Sequence, residues 1–169
     1  PDSNSLLLAG LVAEHGARLA LVSRSGDTAA SLAEALTEAA HGADLIVTSG
    51  GVSAGAFDPL VMLAEDESLT DGAVRLRLTK VAMQPGKPQG HGTVRIEDGG
   101  TSRQVPVITL PGNPVSVLVS FTTVVVPALA RLAGHDVLPR PLTGGGARRA
   151  QGAAPTRVRA AAAWRTPPG

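Results

Sequence analysis

A short apolar strand that leads into a glycine-rich corner and then a proline-initiated helix is the feature that most limits the possible folds. Residues 45–48, LIVT, form a continuous apolar run, typical of a strand buried on both faces of a parallel sheet. Three glycines follow within 49–58, and Pro59 suits the first turn of a helix. The unit predicts a layered α/β fold, in which ligands bind at corners beyond the carboxyl ends of strands.

Helical and strand patterns alternate along the rest of the chain. The sequence predicts a helix over 6–15 capped by Ser3 or Asn4, and a second that is capped by Asp27 or Thr28 and runs to residue 40. A third helix is predicted over 115–132, either kinked or started late near Pro127. Further strands are predicted over residues 18–23, 74–83, 94–97 and 105–110, with a turn at 98–100. This order favours a mainly parallel sheet.

Composition excludes several classes of protein. The chain has 169 residues, and its 43% hydrophobic and 17% charged content is that of a folded domain rather than a disordered chain. With no cysteine there is no disulfide, thiolate zinc site or cysteine nucleophile, and the four histidines show no ligand spacing. Aromatic residues make up 2%, which argues against nucleic-acid binding by base stacking. Segment 115–132 contains Ser, Thr and Pro, which argues against a membrane span, and PDSNS shows no export signal, so a cytoplasmic protein is expected.

Charge divides the chain into two parts. Residues 134–169 carry six arginines and one aspartate, a net charge of +5, whereas residues 1–133 carry nine basic and thirteen acidic groups, a net charge of −4. The second part is also rich in Gly and Pro. We therefore predict an α/β domain over 1–134, followed over 135–169 by a linker and a flexible or partly strand-forming tail.

The first of three corners with notable chemistry covers residues 48–58. Its glycines allow close approach of a ligand to backbone N–H groups, and its serines add hydroxyl donors. The candidate ligand-binding residues here are Ser49, Gly50, Gly51, Ser53 and Gly55. Asp58 either caps the helix that begins at Pro59 or holds Mg²⁺ against a phosphate, and the spacing leaves both open. The segment fits neither a Walker loop nor a dinucleotide fingerprint.

The second corner is LPGNPVS, residues 110–116, and the third is VAMQPGKP, residues 81–88. Prolines stiffen both of them. The second contributes the candidates Pro111, Gly112, Asn113, Pro114 and Ser116, either as turn residues or as a preorganised anion or pterin site. The third contributes Gln84 and Lys87, one of only two lysines in the chain; it is either a placed cation or a solvated surface residue.

The three corners resemble, in order, the motifs of the MoeA-type molybdopterin molybdenumtransferases, which are related to the E domain of gephyrin. SGGVSAGAFD, VAMQPGKPQG and LPGNPVSVLVSF carry the likeness, and DSN at 2–4 and SRSGDT at 23–28 match two preceding segments. The resemblance implies a three-layer α/β/α molybdopterin-binding fold of the MoaB/Mog type over residues 1–134. It also implies that 135–169 include the truncated start of a small C-terminal β domain.

The resemblance also implies a function. The family inserts molybdate into adenylylated molybdopterin with release of AMP, assisted by Mg²⁺, and works as a homodimer in the cytoplasm. A molybdopterin adenylyltransferase is an implied partner; no nucleic acid or membrane is. The matched positions with family roles are Asp2, Asp27, Asp58, Lys87, Pro111, Pro114 and Ser116. Asp27, Asp58 and Lys87 would be catalytic, with both aspartates at the metal and with Lys87 and Ser116 on molybdate.

Two departures and two alternatives accompany this interpretation. Gln84 occupies a position where the family often has lysine, so the implied molybdate pocket has one cation fewer. The larger N-terminal domains of the family are not in this chain. One alternative is a stand-alone molybdopterin adenylyltransferase, although that relative usually has G-G-T-G where this chain has G-G-V-S. The other is a non-catalytic pterin-binding or scaffold fragment.

Overall fold

The computed structural model describes residues 3–50, 58–135 and 158–165, and these form a three-layer α/β/α arrangement. The sheet has six strands in the order β1-β6-β2-β5-β4-β3. The strands are β1 (Arg18–Ser25), β2 (Leu45–Ser49), β3 (Val74–Lys80), β4 (Pro88–Asp98), β5 (Thr101–Leu110) and β6 (Arg159–Arg165). All neighbouring pairs are parallel except those of β4, which runs antiparallel to β3 and β5. The predicted α/β class with a mainly parallel sheet is confirmed.

Helices cover both faces of this sheet. They are α1 (Ser3–Glu14), α2 (Ala29–Gly42), α3 (Pro59–Glu65), α4 (Pro114–Ser120) and α5 (Val126–Leu132), with a 3₁₀ turn at Glu67–Thr70. One core packs α2 and α3 on the face that carries Ile46 and Val107. The other core packs α1, α4 and α5 on the opposite face, around Val47, Ile108 and Phe121. Successive residues of β2 enter opposite cores because side chains alternate along a strand.

Local sequence signals account for most element boundaries. The Thr28 hydroxyl caps α2 by accepting a hydrogen bond from the Ser31 N–H at 3.1 Å, which selects one of the two predicted caps. Gly99 and Gly100 both adopt positive φ in the predicted turn between β4 and β5. At the first helix the prediction was wrong, because Ser3 and Asn4 both lie inside α1 rather than at a cap.

Strand β4 is much longer than the segment 94–97 predicted from the sequence. It begins at Pro88, and its first half contains Gly90 and Gly92, which have low strand propensity. Pairing with β3 and β5 on both sides holds this segment in the sheet. Tertiary pairing therefore overrides local preference here.

The strand at Arg159–Arg165 differs most from expectation. It lies between β1 and β2, pairing Ala161 with Leu21 on one side and with Ile46 on the other. These residues are therefore part of the α/β sheet, whereas the resemblance implied that they begin a small C-terminal β domain. The boundary near residue 134 was predicted from charge and composition, and neither property determines strand pairing.

The apolar segment 114–132 forms one continuous helical stretch. A π segment, Phe121–Val125, joins α4 to α5 just before Pro127, which has no N–H to donate to the preceding turn. By length and composition this stretch could cross a membrane, which differs from the sequence interpretation; a single such helix is weak evidence. Val117, Phe121, Val125 and Leu129 are buried against the sheet, as in a core helix.

An ionic cluster fixes the start of β6 beside β2. The carboxylate of Asp44 accepts hydrogen bonds from the Arg159 backbone N–H at 2.8 Å and from its guanidinium at 3.1 Å. Arg103 lies 3.6 Å from the same carboxylate and donates to the carbonyls of Ala40 and Ala43, where α2 ends. Burial raises the pKa of Asp44, but the hydrogen bonds and charge of Arg159, with the charge of Arg103, outweigh it and hold the pKa below 3.8.

We expect Asp44→Asn to lower the melting temperature by a few degrees at pH 7 and by less at pH 3. The pKa of Asp44 is lower in the folded chain than in the unfolded chain. Its ionised form therefore stabilises the fold above about pH 4, and this contribution is lost as the pH falls through the folded pKa. Thermal unfolding followed by circular dichroism at both pH values measures the effect.

Glu38→Gln is the control, since it removes an exposed carboxylate from α2. Equal destabilisation by Asp44→Asn at both pH values would contradict an ionic role and indicate that only the shape of the side chain matters.

Candidate functional site

The three corners identified in the sequence leave or enter the sheet at one edge. The carboxyl ends of β2 and β5 are neighbours, with Ser49 paired to Leu110. Strand β4 begins at the same edge because it is antiparallel to β5, with Gly90 paired to Thr109. With strands about 4.8 Å apart, the corner after β2 and the corner before β4 lie about 10 Å from each other. Convergence is thus observed for the described part of each corner.

The corners after β2 and β5 touch through their backbones. Gly50 has a φ of 87°, a conformation that favours glycine, and its N–H donates to the Leu110 carbonyl at 3.1 Å. A Cβ at Gly112 would lie 3.4 Å from the Gly50 Cα. Glycine is therefore favoured at Gly50 by its φ, and a Cβ at Gly112 would just reach van der Waals contact with Gly50. Gly51, Ser53 and Gly55 lie outside the described residues.

Asn4 ties the first helix to the second corner, a contact that sequence reasoning missed. Its Nδ2 donates to the Gly112 carbonyl at 2.7 Å, across 108 residues of sequence. Its Oδ1 is buried without a hydrogen-bond partner in the structure described. Asn4 therefore holds the corner with one atom and keeps a hydrogen-bond acceptor at the site.

Three hydroxyls at the strand ends also lack partners within the described ranges. Thr48 and Ser49 are each 2% exposed, Thr109 is fully buried, and no hydrogen bond to their side-chain oxygens is present. A buried unpaired polar group costs about 1–3 kcal/mol. Ser49 was predicted as a site residue. Thr48 and Thr109 were not, although a threonine that closes an apolar strand before a glycine-rich or proline-rich corner is a visible signal.

The second corner is built as a helix cap. Asn113 Oδ1 accepts hydrogen bonds from the N–H groups of Val115 at 2.9 Å and Ser116 at 3.3 Å, and Pro114 occupies the first helical position. Pro111 and Ser116 are buried, whereas Gly112, Asn113 and Pro114 are exposed. Turn chemistry therefore explains the side-chain oxygen of Asn113, and the anion-binding alternative stays a prediction.

Asp58 caps α3. Its Oδ1 accepts a hydrogen bond from the Leu60 N–H at 3.0 Å, Pro59 follows at the first helical position, and Asp58 is 8% exposed. Capping, one of the two roles left open by the sequence, is thus observed. The metal-binding role stays a prediction.

The third corner places Lys87 between two anchored peptide groups. The Lys87 carbonyl accepts a hydrogen bond from the Val81 N–H at 2.8 Å, and the Gly86 carbonyl accepts one from Gln89 Nε2 at 3.0 Å. The Gln84–Pro85 peptide bond is cis. Gln84 and Lys87 themselves are exposed.

Asp27 follows β1 at the same edge of the sheet and is exposed. Since β6 separates β1 from β2, the ends of those two strands lie about 10 Å apart. Among described residues there is no group of three or more His, Cys, Asp or Glu able to hold a metal. A site that uses Asp27 or Asp58 would take its other ligands from phosphate oxygens and water, a donor set that Mg²⁺ commonly has.

These features define a class: an α/β domain with its candidate ligand site along the carboxyl edge of a mainly parallel sheet. Residues 1–131 match the family described as a probable molybdopterin binding domain, and the chain belongs to that family.

Curated relatives agree with this membership. The chain is 43% identical over 140 residues to molybdopterin molybdenumtransferase 2 of Mycobacterium tuberculosis, covering 83% of this chain and 32% of the relative. It is 34% identical to molybdopterin molybdenumtransferase of Nostoc, covering 79% and 28%, and 32% identical to gephyrin of Dictyostelium discoideum, covering 80% and 20%. The chain thus spans about a third or less of the length of these relatives.

Proposed function

We propose that this chain is the pterin-binding domain of a molybdopterin molybdenumtransferase, which inserts molybdate into adenylylated molybdopterin during molybdenum cofactor biosynthesis. The observation that carries the proposal is the meeting of three stiff corners at one sheet edge in a chain of this family. Cytoplasmic location, homodimeric assembly and an adenylyltransferase partner belong to the same proposal.

The row of strand ends that carries the three corners is long enough for an extended anionic substrate. From the end of β1 to the start of β4 it covers four strand spacings, about 19 Å. Asp27 lies near one end, where β1 and β6 also place Arg24 and Arg165, and Lys87 lies near the other; the two ends are called the acidic end and the basic end after Asp27 and Lys87. We assign the acidic end to the metal-bound pyrophosphate and the basic end to molybdate.

At the basic end, Lys87 supplies a cation for a tetrahedral oxyanion, and Ser116 and Gln84 supply hydrogen-bond donors. The glycine backbone of the first two corners leaves room for the pterin, and Ser49 offers it a buried hydroxyl. At the acidic end, Asp27 and Asp58 would hold Mg²⁺, which when bound neutralises the pyrophosphate and stabilises its leaving oxygen. The protein's part is to position two anions and offset their charge.

We expect Lys87→Ala to weaken molybdate binding by about tenfold or more, because a charge-assisted hydrogen bond to an oxyanion is worth about 1.5–3 kcal/mol. Isothermal titration of the chain with sodium molybdate, with and without adenylylated molybdopterin, measures this change. Arg95→Ala is the matched control, since it removes an exposed cation from β4 about 24 Å along the strand from its start.

Asp58→Asn tests the proposed binding of Mg²⁺ by Asp58, because asparagine keeps the helix cap while removing the carboxylate charge. Titration with adenylylated molybdopterin should be tighter with Mg²⁺ than without it for the unchanged chain, and insensitive to Mg²⁺ for this variant. Equal binding by the unchanged chain and Lys87→Ala would contradict the molybdate role. Failure of the unchanged chain to bind either anion would favour a scaffold fragment that binds no pterin.

A further inference from the structure

We propose that Gln89 and Ser120 are positioning residues that hold Lys87 at a fixed place relative to α4, an inference that rests on the proposed function. Gln89 Nε2 donates to the Ser120 Oγ at 3.0 Å and to the Gly86 carbonyl at 3.0 Å. Gln89 is 5% exposed and Ser120 is fully buried. The buried amide of Gln89 thus connects the start of β4, the third corner and α4.

The network fixes the backbone on both sides of Lys87. The peptide group before it is held through the Gly86 carbonyl by Gln89, and the peptide group after it is held through the Lys87 carbonyl by the Val81 N–H. With both flanking peptides hydrogen-bonded, the Cα of an otherwise exposed lysine has little freedom. Only the side-chain torsions of Lys87 then remain to be fixed when an anion binds, which lowers the entropic cost of binding.

Close packing of the corner on the helix supports the same role. Gly86 has a φ of 108°, and a Cβ there would lie 2.9 Å from the Ser120 Oγ and 3.4 Å from the Met83 side chain. The third corner packs this close to α4 only because Gly86 has no side chain. Gln89 Nε2 also lies 3.7 Å from the Met83 sulfur, so its donor nitrogen is enclosed by the third corner and α4.

Ser120 connects this network to the second corner. It lies four residues after Ser116 on α4, so both serines are on one face of the helix, and both are buried. Under the proposed function, Ser116 and Lys87 contact the same molybdate. The hydrogen bond from Gln89 to Ser120 therefore sets the spacing between these two ligand-binding groups.

Hydrogen exchange tests the anchoring without any ligand. In Gln89→Met, which keeps side-chain length but loses the donors, and in Ser120→Ala, we expect the Val81 amide to exchange at least tenfold faster. Amides of the central strands, such as Val107, should keep their protection. Gln104→Met is the matched control on an exposed site of β5. Unchanged protection at Val81 in both variants would overturn the anchoring.

Molybdate titration then tests whether anchoring matters for the lysine. We expect Gln89→Met to weaken binding about fivefold in the unchanged background and not at all in Lys87→Ala. An equal loss in both backgrounds would show a general structural effect and overturn the positioning role. If Lys87→Ala itself has no effect, the proposed function fails, while exchange at Val81 still decides whether Gln89 holds the corner.

Discussion

Removal of residues 158–169 should abolish the cooperative unfolding of this domain. The deletion takes out β6, which pairs with β1 along seven residue positions and with β2 along five. Both neighbours would then expose a row of unpaired N–H and C=O groups in the middle of the sheet. Buried Ala160, Ala161 and Ala162 would also leave an opening into both cores.

The expected loss exceeds about 5 kcal/mol, which is comparable with the whole stability of many domains. Urea unfolding followed by circular dichroism, together with size-exclusion chromatography, measures it. A chain that lacks only residues 166–169 keeps the strand and is the control. If the chain ending at residue 157 unfolded at the same urea concentration as the full chain, β6 would have no part in holding the sheet together.

Gly92→Ala should destabilise the fold by about 3 kcal/mol or more, the upper range for overpacking a core. A Cβ at this position would overlap the carbonyl oxygen of Arg75 on the neighbouring strand and would lie 2.8 Å from a Leu76 methyl carbon. The Arg75 oxygen belongs to the backbone of β3, so relief requires β3 and β4 to separate. The free energy of unfolding in urea measures the change.

Gly10→Ala is the matched control. Gly10 is exposed in α1, and a Cβ there meets nothing within 4 Å among the described atoms. Since alanine is the better helix former, this variant should be more stable by about 0.5–1 kcal/mol. A loss below about 1 kcal/mol for Gly92→Ala would show that the strands yield easily and that the close approach is not a constraint.

Much of the fold was predictable because its signals are local. The apolar run of β2, the cap at Thr28 and the turn at Gly99 and Gly100 each depend on residues close in sequence. The place of β6 was not predictable in this way. Alanines have little strand propensity, and insertion of a strand between β1 and β2 depends on pairing with residues more than 100 positions away.

In the candidate site, too, the features with local signals were predictable and the long-range contacts were not. Glycines and prolines mark the corners in the sequence, so their positions and their common edge were predictable. The contacts that hold the corners were not, because Asn4 reaches Gly112 across 108 residues and Gln89 reaches Ser120 across 31. No periodicity or short motif encodes such a pair. A buried polar residue beside a corner is a hint only once the sheet order is known.

The alanines of β6 also act as a spacer that sets the thickness of the domain. Ala160 and Ala162 face the core that contains α1, while Ala161 faces the core that contains α2. Because alanine side chains are small, α1 and α2 pack close to the middle of the sheet. A larger residue at one of these positions would move one of the two helices away from it. Because α1 carries Asn4, a larger side chain at Ala160 or Ala162 would move the Asn4 amide away from Gly112. The second corner, which follows β5, would then lose this hydrogen bond.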